Sequence, residues 1–142
     1  MISEYMTQAH RQCDEHFAQA EENAANGQLD EALKAFSQFQ LEMEAHFSKE
    51  ENILFPAFEQ ATGMTAGPTQ VMRMEHTQMR SLLEEMLQSL NDKDSDQYLG
   101  LGETLLILMQ QHNMKEEQIL YPMADKTLAA NNQMVLAQMQ AL

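Results

Sequence analysis

Two strings in this 142-residue chain repeat each other: His46-Phe-Ser-Lys-Glu50-Glu-Asn-Ile-Leu-Phe-Pro56 and His112-Asn-Met-Lys-Glu116-Glu-Gln-Ile-Leu-Tyr-Pro122. They stand 66 residues apart, and the same offset carries His10 onto His76. Each half of the chain therefore offers one His and, 36 residues later, a His-x-x-x-Glu. On a helix, residues four apart lie about 40° around the axis and one turn along it, so both reach one centre. A His and a Glu on an apolar stripe are costly unless paired or bound to metal. One such His reads as a hydrogen-bonded core residue. Four His and two Glu on core faces, all obeying one repeat, read as metal ligands: His10, His46, Glu50, His76, His112 and Glu116. Imidazole and carboxylate without thiolate favour iron or manganese over structural zinc. With two His per metal and Glu50 and Glu116 bridging, each metal keeps an open position for small-molecule chemistry. The Glu-x-x-His of ferritin-like bundles is reversed here, and the His-Glu-x-x-His of zinc proteases is absent.

Four long helices must position these residues. Gly (5) and Pro (3) are scarce and strong helix formers dominate. The first helix is expected from Ser3 to Ala25, with Met6, His10, Cys13 and Phe17 on one stripe and Asn26-Gly27 as its stop. The second runs from Leu29 to Gln60, its stripe passing through Phe36, Phe39, Met43, His46, Glu50, Ile53 and Ala57, with loosening expected at Pro56. Gly63 to Pro68 is a loop, and Pro68 opens a third helix to Leu90. The fourth spans Asp96 to Asp125, its stripe through Leu101, Leu105, Leu108, His112, Glu116, Ile119 and Met123. A short helix near Gln133–Gln140 packs outside. Short connections make sequential helices antiparallel, so the fold class is all-α, an up-down-up-down four-helix bundle forming a single domain over 1–142. The thirteen Met residues read as flexible core filler.

With 22 acidic against 8 basic residues the formal charge is −14, which repels nucleic acid and anionic membrane surfaces. No apolar run approaches the roughly 20 residues that span a bilayer, and no signal-peptide pattern opens the chain. The single cysteine excludes an internal disulfide and suits a reducing, cytoplasmic setting. Cys13 reads as a buried structural thiol. His16, about 240° around the helix from His10, should face away. Asp14, one turn after His10, is a candidate acceptor for an imidazole N–H, with Arg80, its counterpart in the repeat, as a partner. Lys49, Glu51, Lys115 and Glu117 read as solvated.

The His…His-x-x-x-Glu…Glu-His…His-x-x-x-Glu order, with its Glu-Glu-x-Ile-Leu-aromatic-Pro tails, resembles the hemerythrin HHE cation-binding family over nearly the whole chain. Ala66-Gly67-Pro68-Thr69-Gln70-Val71-Met72-Arg73-Met74-Glu75-His76 is similar to the third-helix start of the repair-of-iron-centres proteins within it. The resemblance implies a hemerythrin-like bundle with two non-haem irons, bridged by an oxo or hydroxo group, on those four His and two Glu. Oxygen-storing members differ in carrying a second His at the position of Arg80 and a His-x-x-x-x-Asp ending. The expected role is binding or sensing a small ligand, oxygen or nitric oxide. The alternative is a di-iron enzyme or repair protein that handles peroxide or nitric oxide, or donates iron for iron–sulfur cluster repair.

Overall fold

The computed structural model describes residues 1–142. Helix α1 is Ile2–Ala25 and α2 is Leu29–Lys49. A π-helical turn, Glu50–Leu54, joins α2 to α3, Phe55–Thr62, in one continuous rod. Helix α4 is Pro68–Asn91 and α5 is Ser95–Lys115. A second π-helical turn, Glu116–Leu120, joins α5 to α6, Tyr121–Thr127. A 3₁₀ turn, Ala129–Asn131, leads to α7, Asn132–Gln140. Helix α1 packs on α2 and α4 on α5, and the two hairpins meet through α1 against α5 and α2 against α4. The expected all-α bundle is present, with α7 laid against the first π turn through Val135 and Met139. No helix is long and apolar enough to cross a membrane.

The hairpin turns follow the repeat. Gly27 closes the first in the left-handed region at φ 75°, where a glycine meets no Cβ penalty. Lys93, 66 positions on, holds the second at φ 57°. Both turns make the same backbone bonds: Gln28 N–H donates to Asn23 C=O, and Asp94 N–H to Ser89 C=O.

Apolar residues form two layers with a polar gap between them. Towards the hairpin turns lie Phe17, Phe36, Phe39, Leu83, Met86 and Leu105. Towards the chain ends lie Ile2, Leu54, Phe55, Phe58, Leu120 and Val135. His10, His46, Glu50, His76, His112 and Glu116, all buried, sit between the two layers.

The π turns correct the expected stripe. Ile53, Ala57, Ile119 and Met123 were expected inside, but Ile119 is 54% exposed, while Leu54, Phe58, Leu120 and Ala124 are buried. A π turn bonds i to i+5, as Phe55 N–H does to Glu50 C=O and Tyr121 N–H to Glu116 C=O. That inserts one residue per rod and moves the buried stripe on by one. The loosening expected at Pro56 is thus a π turn just before it, repeated before Pro122. Proline's missing N–H leaves the Glu51 carbonyl free of a helical donor, and Arg73 Nη1 donates to it at 3.4 Å.

Candidate metal centre

Each of the six residues is placed by a helix phase. His10 and His76 come from the middle of α1 and α4, His46 and His112 from the last turns of α2 and α5, and Glu50 and Glu116 open the π turns. All six are at most 5% exposed. One potential ligand atom from each of Glu50, His76, His112 and Glu116 lies within 4.8 Å of the others, and His10, His46 and Glu116 form a second such group. Glu116 belongs to both. The structure therefore brings together the whole set expected from the sequence, in two adjoining groups.

Contacts across the set are close. His10 Nε2 is 3.0 Å and His112 Nε2 3.2 Å from Glu116 Oε1, and His76 Nε2 is 3.1 Å from Glu50 Oε1. Yet Glu50 Oε1, His76 Nε2, His112 Nε2 and Glu116 Oε2 are buried without a hydrogen-bond partner. Four converging lone pairs or protons left this way are costly. A cation coordinated by them removes the cost, so the donor set fits a metal.

Electrostatics push like groups apart. Burial and the neighbouring Glu116 hold the Glu50 carboxyl well above the usual carboxylate range. Glu116 is held well below it: burial opposes this, but the bonds from Glu50, His10 and His112 win. These opposite shifts favour a single proton on the pair, which a bound cation would oppose. Burial brings His76 down to about 4, with His112 adding to the effect. Burial and the charge of His10 bring His46 well below its usual range. Burial also acts on His10 and His112, but Glu116 and the outer carboxylates Glu117 and Glu75 outweigh it and raise both.

Behind the ligands stands a ring of carboxylates. His10 Nδ1 is 2.7 Å from Glu117 Oε2, His76 Nδ1 2.6 Å from Glu51 Oε2, and His112 Nδ1 2.8 Å from Glu75 Oε1. An acceptor on Nδ1 fixes the ring so that Nε2 faces the centre. Three sequence expectations fail here. Glu51 and Glu117 are only partly solvated and turn towards His76 and His10, because the wider π turn lets two consecutive residues face inward. Asp14 is not the acceptor for His10; it lines a cavity of about 530 Å³ between α1 and α5 that reaches none of the six ligands. Arg80 does not pair with Asp14 either. Its guanidinium donates to Glu51 Oε2 at 2.8 Å and to Glu44 Oε2 at 3.0 Å. Lys115 donates to Glu75, and Lys49 to Tyr5 Oη. His16 faces away as expected, paired with Glu42 at 3.2 Å. Cys13 is buried and free, its thiol pushed up to about 12 by burial and then by Glu42 and Asp14.

Tyr121 was not foreseen as part of the site. Its phenol oxygen lies 2.8 Å from Glu50 Oε2, 2.9 Å from Glu116 Oε1, 3.2 Å from His10 Nε2 and 3.3 Å from His46 Nε2. Its counterpart Phe55 stacks on His76 at 5.7 Å. Phe47 covers the other face of the same cluster, 4.0 Å from the His76 ring. Aligning the two halves position by position would have found both Glu75, opposite Ala9, and Tyr121, opposite Phe55.

The hemerythrin HHE cation binding domain matches residues 1–124. An iron-sulfur cluster repair protein YtfE of Escherichia coli O81 (strain ED1a) is 36% identical over 93 residues, 58% of this chain and 42% of that protein. Those of Escherichia coli O1:K1 and of Escherichia fergusonii are 34% identical over the same length, again 42% of each. The match thus spans about two fifths of those relatives. No solved structure matches the chain.

Proposed function

The chain belongs to the hemerythrin HHE cation-binding domain family, and on that premise we propose that it holds two iron ions and uses them to bind or sense a small ligand such as oxygen or nitric oxide. The carrying observation is the group of four converging, buried, unpartnered donor atoms on Glu50, His76, His112 and Glu116. His10 and His46 would hold one iron and His76, His112 and Glu50 the other, with Glu116 common to both groups. Iron so held supplies open coordination positions for a diatomic or peroxide ligand.

The chain's own residues do the rest. The carboxylates of Glu117, Glu51 and Glu75 hold three imidazoles in their ligating orientation. The six side chains are at most 5% exposed, which limits the access of bulk water to the centre. Tyr121 places one O–H among the ligands, at a distance to donate to either Glu carboxylate.

Spectra of the ferrous protein exposed to oxygen, and separately to nitric oxide, test this reading. A reversible ligand band supports binding or sensing, whereas irreversible oxidation with no ligand band contradicts it. The relatives named iron-sulfur cluster repair proteins favour a second reading, iron donation to a damaged cluster. Under that reading the loaded protein loses its iron to an apo iron–sulfur acceptor faster than to buffer.

A further inference from the structure

Three of the four imidazoles have a carboxylate on Nδ1; His46 has none, and its Nδ1 is buried without a partner. The repeat shows what is missing. The acceptor for His112 is Glu75, and 66 positions earlier stands Ala9. Glu75 also takes the ammonium of Lys115. The counterpart Lys49 donates instead to the neutral Tyr5 hydroxyl at 2.8 Å. Where Glu75 would stand, a cavity of about 140 Å³ opens between α1 and α2, with Tyr5, Ala9, Cys13, Glu42, His46 and Lys49 in its wall. That volume is several times the roughly 30 Å³ share of one liquid water, enough for an ion of three or four heavy atoms.

We propose that this cavity is a binding site for a small oxyanion of the carboxylate class, seated between His46 Nδ1 and Lys49 Nζ as the Glu75 carboxylate is seated between His112 and Lys115. Such an ion would complete the carboxylate ring from outside the chain. A planar carboxylate carries two acceptor oxygens for the two donors. Glu42 tunes the choice. Its Oε1 is taken by His16 and Gln38, while its Oε2 is buried without a partner in the same wall. A carboxylate facing the site disfavours a bare anion and favours one that brings its own O–H. Hydrogen carbonate should therefore bind better than formate. The proposal rests on the metal-centre reading in one respect: with Nε2 on a metal, the neutral ring carries its proton on Nδ1.

Calorimetric titration of the metal-loaded protein with sodium formate and with sodium hydrogen carbonate tests it. Dissociation constants on the order of millimolar are expected for so few heavy atoms. Ala9→Glu brings the missing carboxylate into the cavity and should abolish both binding events while the metal content stays unchanged. Lys49→Gln, which leaves the α1–α2 packing intact, should weaken both by about 10- to 100-fold through loss of a charged hydrogen bond. Glu42→Gln should narrow the preference for hydrogen carbonate. Unchanged affinity in both Ala9→Glu and Lys49→Gln would put the anion elsewhere, on the metal itself, and overturn the proposal. Absence of binding to the parent protein would do the same. If the protein takes up no metal, the metal-centre reading fails by itself. The same titrations on the metal-free protein then decide the cavity, through binding that Ala9→Glu removes or its absence.

Discussion

In the second half of the chain, Glu75 closes the back of His112, Lys115 locks Glu75, and Tyr121 reaches into the ligand set. In the first half, Ala9 leaves His46 open, Lys49 finds only a phenol, and Phe55 has no polar atom to offer. The asymmetry also runs the other way. Arg80 braces Glu51 behind His76, whereas Asp14, its counterpart, leaves Glu117 unbraced behind His10. What both halves share is narrower: one His, a His-x-x-x-Glu, a second Glu, and a π turn before proline. The shared parts are those a two-metal centre needs in duplicate. The differences would make the two positions of such a centre chemically unequal.

The sharpest contrast is between the two inner carboxylates. Glu116 serves both ligand groups and Glu50 one. Glutamine keeps the shape but loses the charge and one acceptor oxygen. Glu116→Gln should therefore empty both metal positions, and Glu50→Gln should leave the His10–His46 position largely filled. Metal analysis after dialysis reads this; equal losses would mean that the two groups are one symmetric site.

Next come the outer carboxylates. Removing a residue that orients a metal-bound His costs about 10- to 100-fold in metal affinity. Glu51→Ala should fall at the upper end, because Arg80 holds Glu51 firmly in place against His76. Glu117→Ala, with no cation behind it, should fall at the lower end. Chelator competition measures both, and the reverse order would remove Arg80 from the account.

The helix starts differ as well. Asp125 accepts the backbone N–H groups of Ile2 at 2.9 Å and Ser3 at 3.2 Å, capping α1, which has no cap of its own. Its counterpart Glu59 meets Pro68, which has no N–H, and accepts instead from the Thr69 hydroxyl and Arg73. Asp125→Ala should cost about 1 kcal/mol at neutral pH. Burial tends to raise the Asp125 carboxyl, but bonds from Ser3, Asn132 and Ile2 bring it below its ordinary 3.8. A depressed carboxyl stabilises the fold above its unfolded value and loses that contribution as pH falls through its folded one. The gap between variant and parent in urea denaturation should accordingly close below pH 3.8. A gap that persists there would assign the cost to packing.

The smallest effect is expected at the hairpin turns. A non-glycine left-handed residue costs roughly 1–2 kcal/mol, of which glycine's extra unfolded entropy returns roughly 0.5–1. Lys93→Gly should stabilise by the remainder, about 0.5–1 kcal/mol, and Gly27→Ala should destabilise by a similar amount. Thermal midpoints that move in the same direction would show that the two turns are not equivalent.

Most of the bundle was legible because its candidate ligands and its core lie on one 3.6-residue stripe, and because the 66-residue repeat ties His10 to His76. The π turns were not legible. An i to i+5 insertion leaves no gap in the string Glu-Glu-x-Ile-Leu, so Ile119 looked buried and Leu120 did not. Glu51 and Glu117 read as solvated for the same reason, since in a regular helix they would point some 100° away from the centre. Asp14 and Arg80 share a repeat position, yet Arg80 faces Glu44 and Glu51 of the first hairpin while Asp14 lines the cavity between α1 and α5. Glu75 and Tyr121 stood in plain view. They break the repeat, and attention to what the halves share passed over where they differ.

The central claim is that the two half-sites converge on one two-metal centre. The most direct test is the magnetic susceptibility of the iron-loaded, oxidised protein, with iron counted per chain. Two ferric ions joined through Glu116 should couple antiferromagnetically, so that the moment per iron falls on cooling well below that of an isolated ferric ion. Two uncoupled ferric ions, or one iron per chain, would leave the bundle and its family standing and contradict the shared centre.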